Sequence, residues 1–335
     1  MNEEAEPLVS ICCLTYNHED CIHDAVESFL MQETDFPFEI IIHDDASVDA
    51  TADIIREYER RYPDIIKPIY QTENQYSKGE NVSLIALKAA RGRYVTLCEG
   101  DDYWIDPLKL QKQIAEMENH PECHISFHPA IQRWVDGSRE DALLGLYSDE
   151  ATIVPAEKVI LWWNILMPTA AIVINSSAMP RIISFFETTR EVPVGDYYVQ
   201  VLGAENGGAL YLRDIMSVYR YGISGSWSVR LQDNKAHSLF IRSSIAAQDK
   251  LNRFTDNKYS ELFAIRKRKY YSDAISSPLL DINTKKSIIE GNVNYICIRD
   301  RILWNLVFKH SWQRCCMVYV NVHCRSTTAG IEVPL

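Results

Sequence analysis

The opening third of the chain alternates between short apolar runs rich in strand formers and longer stretches with apolar residues at helical spacing. Leu8 to Leu14 reads as a strand, and Ile22, Ala25, Val26, Phe29 and Leu30 then fall on one helical face. Phe38 to His43 is a second strand, after which Asp49 is placed as the N-cap of a helix carrying Ile54, Ile55 and Tyr58. Ile65 to Tyr70 is a third strand, Val82, Ile85, Ala86 and Ala89 mark a third helix, and Arg93 to Cys98 a fourth strand. Repeated β–α units predict an α/β fold, a Rossmann-like and mostly parallel sheet flanked by helices. In such sheets ligands sit beyond the carboxyl ends of the strands.

That rule locates the chemistry. Strand one ends in Leu14-Thr15-Tyr16-Asn17, strand two in Asp44-Asp45-Ala46-Ser47 and strand four in Glu99-Gly100-Asp101-Asp102. Any one cluster is consistent with turn and cap chemistry, but three converging on one edge point to a site. Residues 98–104 read CEGDDYW, and carboxylates this close raise each other's pKa and resist desolvation. A divalent cation compensates such a group; a solvated acidic turn ahead of the helix that Pro107 opens is the alternative. No glycine-rich turn follows strand one, which excludes a dinucleotide fingerprint, a P-loop and a pyrophosphorylase-type first loop. A phosphatase or receiver site would place a carboxylate where Thr15-Tyr16-Asn17 stand. What remains is a nucleotide held without a glycine cradle, with a metal offsetting its diphosphate.

A net charge of -12 argues against general binding to nucleic acid. The charge is uneven: residues 1–229 hold 17 Lys/Arg against 37 Asp/Glu, and residues 230–335 hold 17 against 9. The basic end therefore meets an anionic surface or packs on the acidic body. Nine cysteines fall into no paired zinc pattern; Cys123-His124 and His128 lack a second ligand pair. Cysteine usage, the acidic start and the lack of any 18-residue apolar stretch lead to the expectation of a cytoplasmic protein without a signal peptide or spanning helix.

Val9-Ser10-Ile11 with Thr15-Tyr16-Asn17, then Asp44-Asp45-Ala46-Ser47 with Asp49 and Thr51, then Ala90-x-Gly92 before Glu99-x-Asp101-Asp102, resemble family 2 of the inverting nucleotide-sugar glycosyltransferases, which have the GT-A fold. The likeness continues weakly through Val194-Gly195-Asp196 and Ser217-Val218-Tyr219-Arg220. It implies a catalytic GT-A domain over residues 1–229 and leaves 230–335 as a basic, mainly helical extension. It also implies that Thr15, Tyr16, Asn17 and Asp45 line the nucleotide, with Tyr16 stacked on the base. Asp45 would accept from a base imide N–H, which favours a UDP-sugar donor. Asp101 and Asp102 would match the metal-binding motif for Mg2+ or Mn2+, one bridging to the cation and the other near the ribose. Glu99 stands where many members have Asp and would reach the metal through water. Many relatives carry an Arg where the register here gives Ser83, so Lys78 is expected to bind phosphate instead. Many also have a His after the Tyr-Arg pair; here Arg220 or backbone amides would take its place over the diphosphate.

Inversion needs a base for the acceptor hydroxyl, and the match falls on Asp196, with Glu191 next in line. A plain helix cap is the structural alternative for Asp196. Trp104, Trp162 and Trp163 are candidates for a sugar platform, and 168–174 for a strand flooring the acceptor site. The implied partners are a nucleotide-sugar donor and a glycan or lipid-linked acceptor in bacterial surface polysaccharide synthesis. A nucleotide-sugar binding protein without catalysis is the alternative.

Residues 237–273 and 281–310 read as helices. Arg266-Lys267-Arg268-Lys269 sits among aromatics, and 302–312 mixes aromatics with cations, a composition suited to an amphipathic helix on an anionic bilayer. A helical appendage on the catalytic body or a dimer contact fits the same residues.

Overall fold

A computed structural model describes residues 6–300 except 164, 190, 191, 193, 194, 293, 294 and 297–299. The four expected strands form as β1 (Val9–Thr15), β2 (Phe38–Asp44), β3 (Ile66–Tyr70) and β4 (Tyr94–Leu97). Between them run α1 (Ile22–Leu30), α2 (Thr51–Arg61) and α3 (Val82–Ala89). β1 pairs in parallel with both β2 and β4, and β2 with β3. β1 and β2 are rich in apolar residues because both of their faces are buried, whereas β3 at the sheet's edge is mostly half-buried. Val9, Ile11, Cys13, Ile40 and Ile42 enter the core on one side, while Cys12 and Ile41 enter the core on the other. Each fully buried Ile or Val contributes about 1.5–3 kcal/mol.

The chain then adds β5 (Tyr103–Trp104), α4 (Lys109–Asn119), β6 (Ile125–Phe127), β7 (Ala130–Trp134), β8 (Ala142–Leu144) and β9 (Thr152–Val154). After α5 (Ala156–Leu161) come β10 (Val173–Asn175), α6 (Met179–Thr188), α7 (Asp196–Ala204), β11 (Ala209–Tyr211) and β12 (Ser217–Tyr221). The large sheet has eight strands in the order β3-β2-β1-β4-β10-β6-β11-β9, and a smaller one has the order β5-β12-β7-β8. β10 runs antiparallel to β4, so the parallel half passes directly into a mixed half.

Two local expectations change. Asp49 is not the cap of α2, whose N-cap is Ala50; its carboxylate accepts from the amides of Thr51 (3.0 Å) and Glu19 (3.1 Å), pinning the turn one residue earlier. Residues 168–174 are not one strand: after Pro168 a single 3-10 turn, Thr169–Ala171, precedes β10.

The C-terminal part contains α8 (Trp227–Arg230), α9 (Asn234–Phe254), α10 (Ser260–Ser276) and α11 (Ile282–Ile289). The long helix expected over 237–273 breaks where Asp256 and Asn257 take φ of 54° and 60°. Asp and Asn tolerate this left-handed conformation better than other side chains. Ala247, Leu251, Tyr259 and Phe263 join the core beneath the large sheet, so the extension shares the body's packing. Arg266 is buried, donating to the carbonyls of Ile160 (2.9 Å) and Trp162 (2.5 Å) with its guanidinium 3.8 Å from the Tyr197 ring. Lys267 is buried beside Asp249 at 2.8 Å. The expected amphipathic segment 302–312 lies outside the described residues. No helix among the described residues is long and apolar enough to cross a membrane.

Candidate functional site

The loops after β1 and β2 are laced together at the carboxyl edge. Asp45 N–H donates to the Thr15 carbonyl (3.0 Å), Asn17 N–H to Ser47 Oγ (2.9 Å), and Val48 N–H to Asn17 Oδ1 (2.9 Å). Asn17 sits at φ 56° and Ala46 at φ 61°. For alanine that conformation costs about 1–2 kcal/mol, and the surrounding bonds hold it. The buried Asp45 carboxylate accepts from the amides of Gln75 (2.7 Å) and Tyr76 (3.0 Å), fixing the loop after β3 against the site. Tyr16 remains 43% exposed at the rim. Lys78, on the same loop as Tyr76, is bonded to the Glu73 carboxylate.

Beyond β4, one oxygen each from Glu99, Asp101 and Asp102 lie within 4.8 Å of one another. Gly100 permits this approach, because a Cβ there would come 2.8 Å from Thr15 Oγ1 and 3.0 Å from His18 Nδ1. Asp102 is 1% exposed. Its Oδ1 accepts from Arg220 N–H at 2.9 Å, while Oδ2 is buried without a partner, as are Thr15 Oγ1 and His18 Nδ1. Burial, then the charges of Asp101 and Glu99, push the Asp102 carboxyl well above its usual range. Burial, then Asp101 and Asp196, do the same to Glu99. The Arg220 guanidinium donates to the Asp101 carbonyl (3.0 Å), pairs with Asp24 and lies 4.4 Å from the Tyr103 ring. Three converging carboxylates with an orphaned buried oxygen fit a hard divalent cation, which Asp101 and Asp102 could hold with Glu99 beside them.

Asp196 lines a cleft together with Glu99 of this cluster. It is the first residue of α7, whose N-cap is Gly195, and no side chain caps that end. Instead, Asp196 Oδ2 accepts from the Thr169 hydroxyl at 2.7 Å. Burial raises the Asp196 carboxyl, and the Thr169 hydrogen bond acts against that rise. Ser83, Glu99, Thr169 and Asp196 line one narrow cleft. A more open hollow beside Glu39, Lys67 and Arg91 lies at the other end of the parallel strands, away from the site.

Other expectations do not assemble. Trp104 is in the core, donating its indole N–H to the Ala170 carbonyl at 2.8 Å. Trp162 packs against Tyr147, and Trp163 against Tyr270 and Arg266. Trp104 is therefore a packing group, while Trp162 and Trp163 are half-buried against these partners. Cys123 Sγ donates to the Gly207 carbonyl, and His128 Nδ1 lies 2.9 Å from the Pro129 carbonyl. Among the described residues the acidic trio is the only group with metal-holding geometry. Glu191 lies outside the described residues. Sequence reasoning missed His18, whose Nε2 is 3.9 Å from Asp101 Oδ2, and Thr169; neither has a local signature.

Residues 10–164 match the family model described as Glycosyl transferase family 2. An uncharacterised protein of Mycobacterium tuberculosis (strain ATCC 25618 / H37Rv) is 37% identical over 229 residues, 68% of this chain and 62% of that protein. The chain thus spans 62% of the length of these mycobacterial relatives. TuaG of Bacillus subtilis, a teichuronic acid biosynthesis glycosyltransferase by name, is 39% identical over 122 residues, 36% of this chain and 46% of TuaG. WfaP of Escherichia coli, named as a UDP-Glc:alpha-D-GlcNAc-diphosphoundecaprenol beta-1,3-glucosyltransferase, is 43% identical over 112 residues, 33% of this chain and 41% of WfaP. The crystal structure of S. aureus TarS 1-349 in complex with UDP superimposes with a TM-score of 0.51 at 16% identity, covering 91% of this chain and 93% of that one, a likeness of fold. The family's model is thus matched across the strands that carry the acidic cluster, and the mixed α/β architecture around them is the GT-A fold.

Proposed function

We propose that this chain is a metal-dependent, inverting glycosyltransferase that moves a sugar from a UDP-sugar to a hydroxyl of a glycan or lipid-linked acceptor. The observation that carries this reading is Glu99, which belongs both to the acidic trio and to the cleft lined by Asp196. Donor and acceptor halves of a displacement therefore meet at one place.

Tyr16 offers an exposed ring to the base. Asp45, after taking two loop amides, keeps about two of roughly four lone-pair sites for an imide N–H. Asp101 and Asp102 would hold the cation, which when bound supplies Lewis-acid stabilisation of charge on the departing diphosphate. Thr169 occupies Oδ2 of Asp196, leaving Oδ1 to take the proton of the acceptor hydroxyl. A base raised by burial is better matched to that proton transfer near neutral pH. Leu14, Ala86 and Leu97 give the cleft apolar walls that limit water.

The names of WfaP and TuaG support a UDP-linked donor, a lipid-diphosphate-linked acceptor and a role in bacterial surface polysaccharide such as capsule or O-antigen. Work on such an acceptor would suit a chain in the cytoplasm at the inner face of the membrane, with residues 230–335 as the region for peripheral contact or dimerisation. Melting curves with nucleoside diphosphates, with and without Mn2+, followed by hydrolysis and transfer assays on UDP-sugars, test the reading. Metal-dependent stabilisation by UDP with donor turnover is expected. UDP binding with no turnover across donors and acceptors would instead favour a nucleotide-sugar binding protein.

A further inference from the structure

The site holds more negative charge than its expected cations offset. Glu99, Asp101 and Asp102 converge, and a donor diphosphate adds to them. Lys78 is already bonded to Glu73. The Arg220 guanidinium is divided between Asp24 and the Asp101 carbonyl.

Arg230 is placed differently. Its guanidinium carbon lies 4.7 Å from the Tyr76 ring centre and 5.8 Å from that of Trp227. Among the described residues it enters no ion pair, yet its charge acts on Glu99. Tyr76 is itself fixed, because its amide donates to the Asp45 carboxylate at 3.0 Å. Stacking uses the faces of a guanidinium and leaves its edge N–H groups available, the arrangement suited to bidentate phosphate recognition. Arg230 ends α8, a short helix that follows Gly222 and Gly225 at φ 93° and 78°, where the chain turns back towards the site.

We propose that Arg230, stacked on Tyr76, is the guanidinium that binds the donor's diphosphate and ties the start of the C-terminal extension to the nucleotide edge. This rests on the nucleotide-sugar reading above and adds a residue to it. Arg230 would then oppose the acidic trio across the diphosphate.

Calorimetry on the full chain with Mn2+ tests this, using UDP, GDP, CDP, ADP and dTDP, with the parent nucleosides followed by ligand-observed NMR. Wild-type binding of at least one diphosphate is expected. Arg230→Met should weaken that diphosphate about 10- to 100-fold, the worth of one charge-assisted contact, and leave its nucleoside unchanged. Arg230→Lys should recover part of the loss, since it restores charge without the fork. Diphosphate affinity within twofold of wild type in Arg230→Met would overturn the proposal. So would equal losses for nucleoside and diphosphate, which indicate a purely structural stack. Wild-type protein that binds none of the five overturns the nucleotide reading itself, and this proposal with it.

Discussion

Replacing Asp102 by Asn should move stability and metal binding in opposite directions. Asp102 is 1% exposed, and its carboxylate has one hydrogen bond, from Arg220 N–H to Oδ1. Asn keeps that acceptor. At Oδ2 it substitutes an NH2 group for an unpartnered anionic oxygen, and the carboxylates of Glu99 and Asp101 nearby can accept from it. An unsatisfied buried acceptor costs about 1–3 kcal/mol, and like-charge repulsion within the trio adds to that. We therefore expect metal-free Asp102→Asn to be more stable by about 1–2 kcal/mol, raising its melting temperature by roughly 2–6 °C. Loss of a supporting group around a metal costs about 10- to 100-fold in affinity, and loss of a ligand should cost at least as much. Calorimetric melting in EDTA measures the first effect, and Mn2+ titration followed by electron paramagnetic resonance the second. A lower melting temperature in EDTA would refute the electrostatic reasoning. Unchanged Mn2+ affinity would refute the metal assignment.

Asp196→Asn should cut donor turnover about 100- to 10,000-fold with little change in melting temperature, and near-normal turnover would place the base elsewhere. Thr169→Val should lower turnover while Thr169→Ser retains it, since only the hydroxyl on Asp196 Oδ2 distinguishes them functionally; equal rates would remove Thr169 from the mechanism. Burial pushes the Lys109 ammonium down to about 7, so the folded chain binds fewer protons than the unfolded one from there to about pH 10.4. Wild-type stability should accordingly rise with pH across that window, and urea midpoints of Lys109→Met at pH 7 and 9 should lack the rise; parallel shifts in both proteins would contradict it.

The parallel half of the sheet was legible because its strands are four or more residues long and its inner ones are buried on both faces. The mixed half was not. β6, β9, β10 and β11 have three residues each, too short for any period to emerge. The acidic trio was visible because three carboxylates share one loop and the carboxyl-edge rule locates that loop. Thr169 and Arg230 were invisible for the opposite reason: each gains meaning only from a partner remote in sequence, Asp196 for one and Tyr76 for the other. Trp104 misled because aromaticity does not reveal which face of a strand it joins. Its neighbours Phe29 and Lys109 place it in the core.

The basic character of the extension also reads differently once its contacts are known. Ile160 and Trp162, whose carbonyls accept from Arg266, lie at the C-terminal end of α5, where a cation is favoured by the exposed carbonyls and the helix dipole. Arg266 thus holds α10 against α5 and the sheet-bearing body. Lys267 does the same between α10 and α9 through Asp249. Lys269 is exposed but paired with Asp273 at 2.8 Å. Of the four consecutive cations, only Arg268 is exposed without a carboxylate partner among the described residues. Attraction to an anionic bilayer runs at about 1 kcal/mol per Lys or Arg near the surface. The cluster would then supply about 1 kcal/mol of that attraction instead of about 4, because most of its charge is spent on packing the extension.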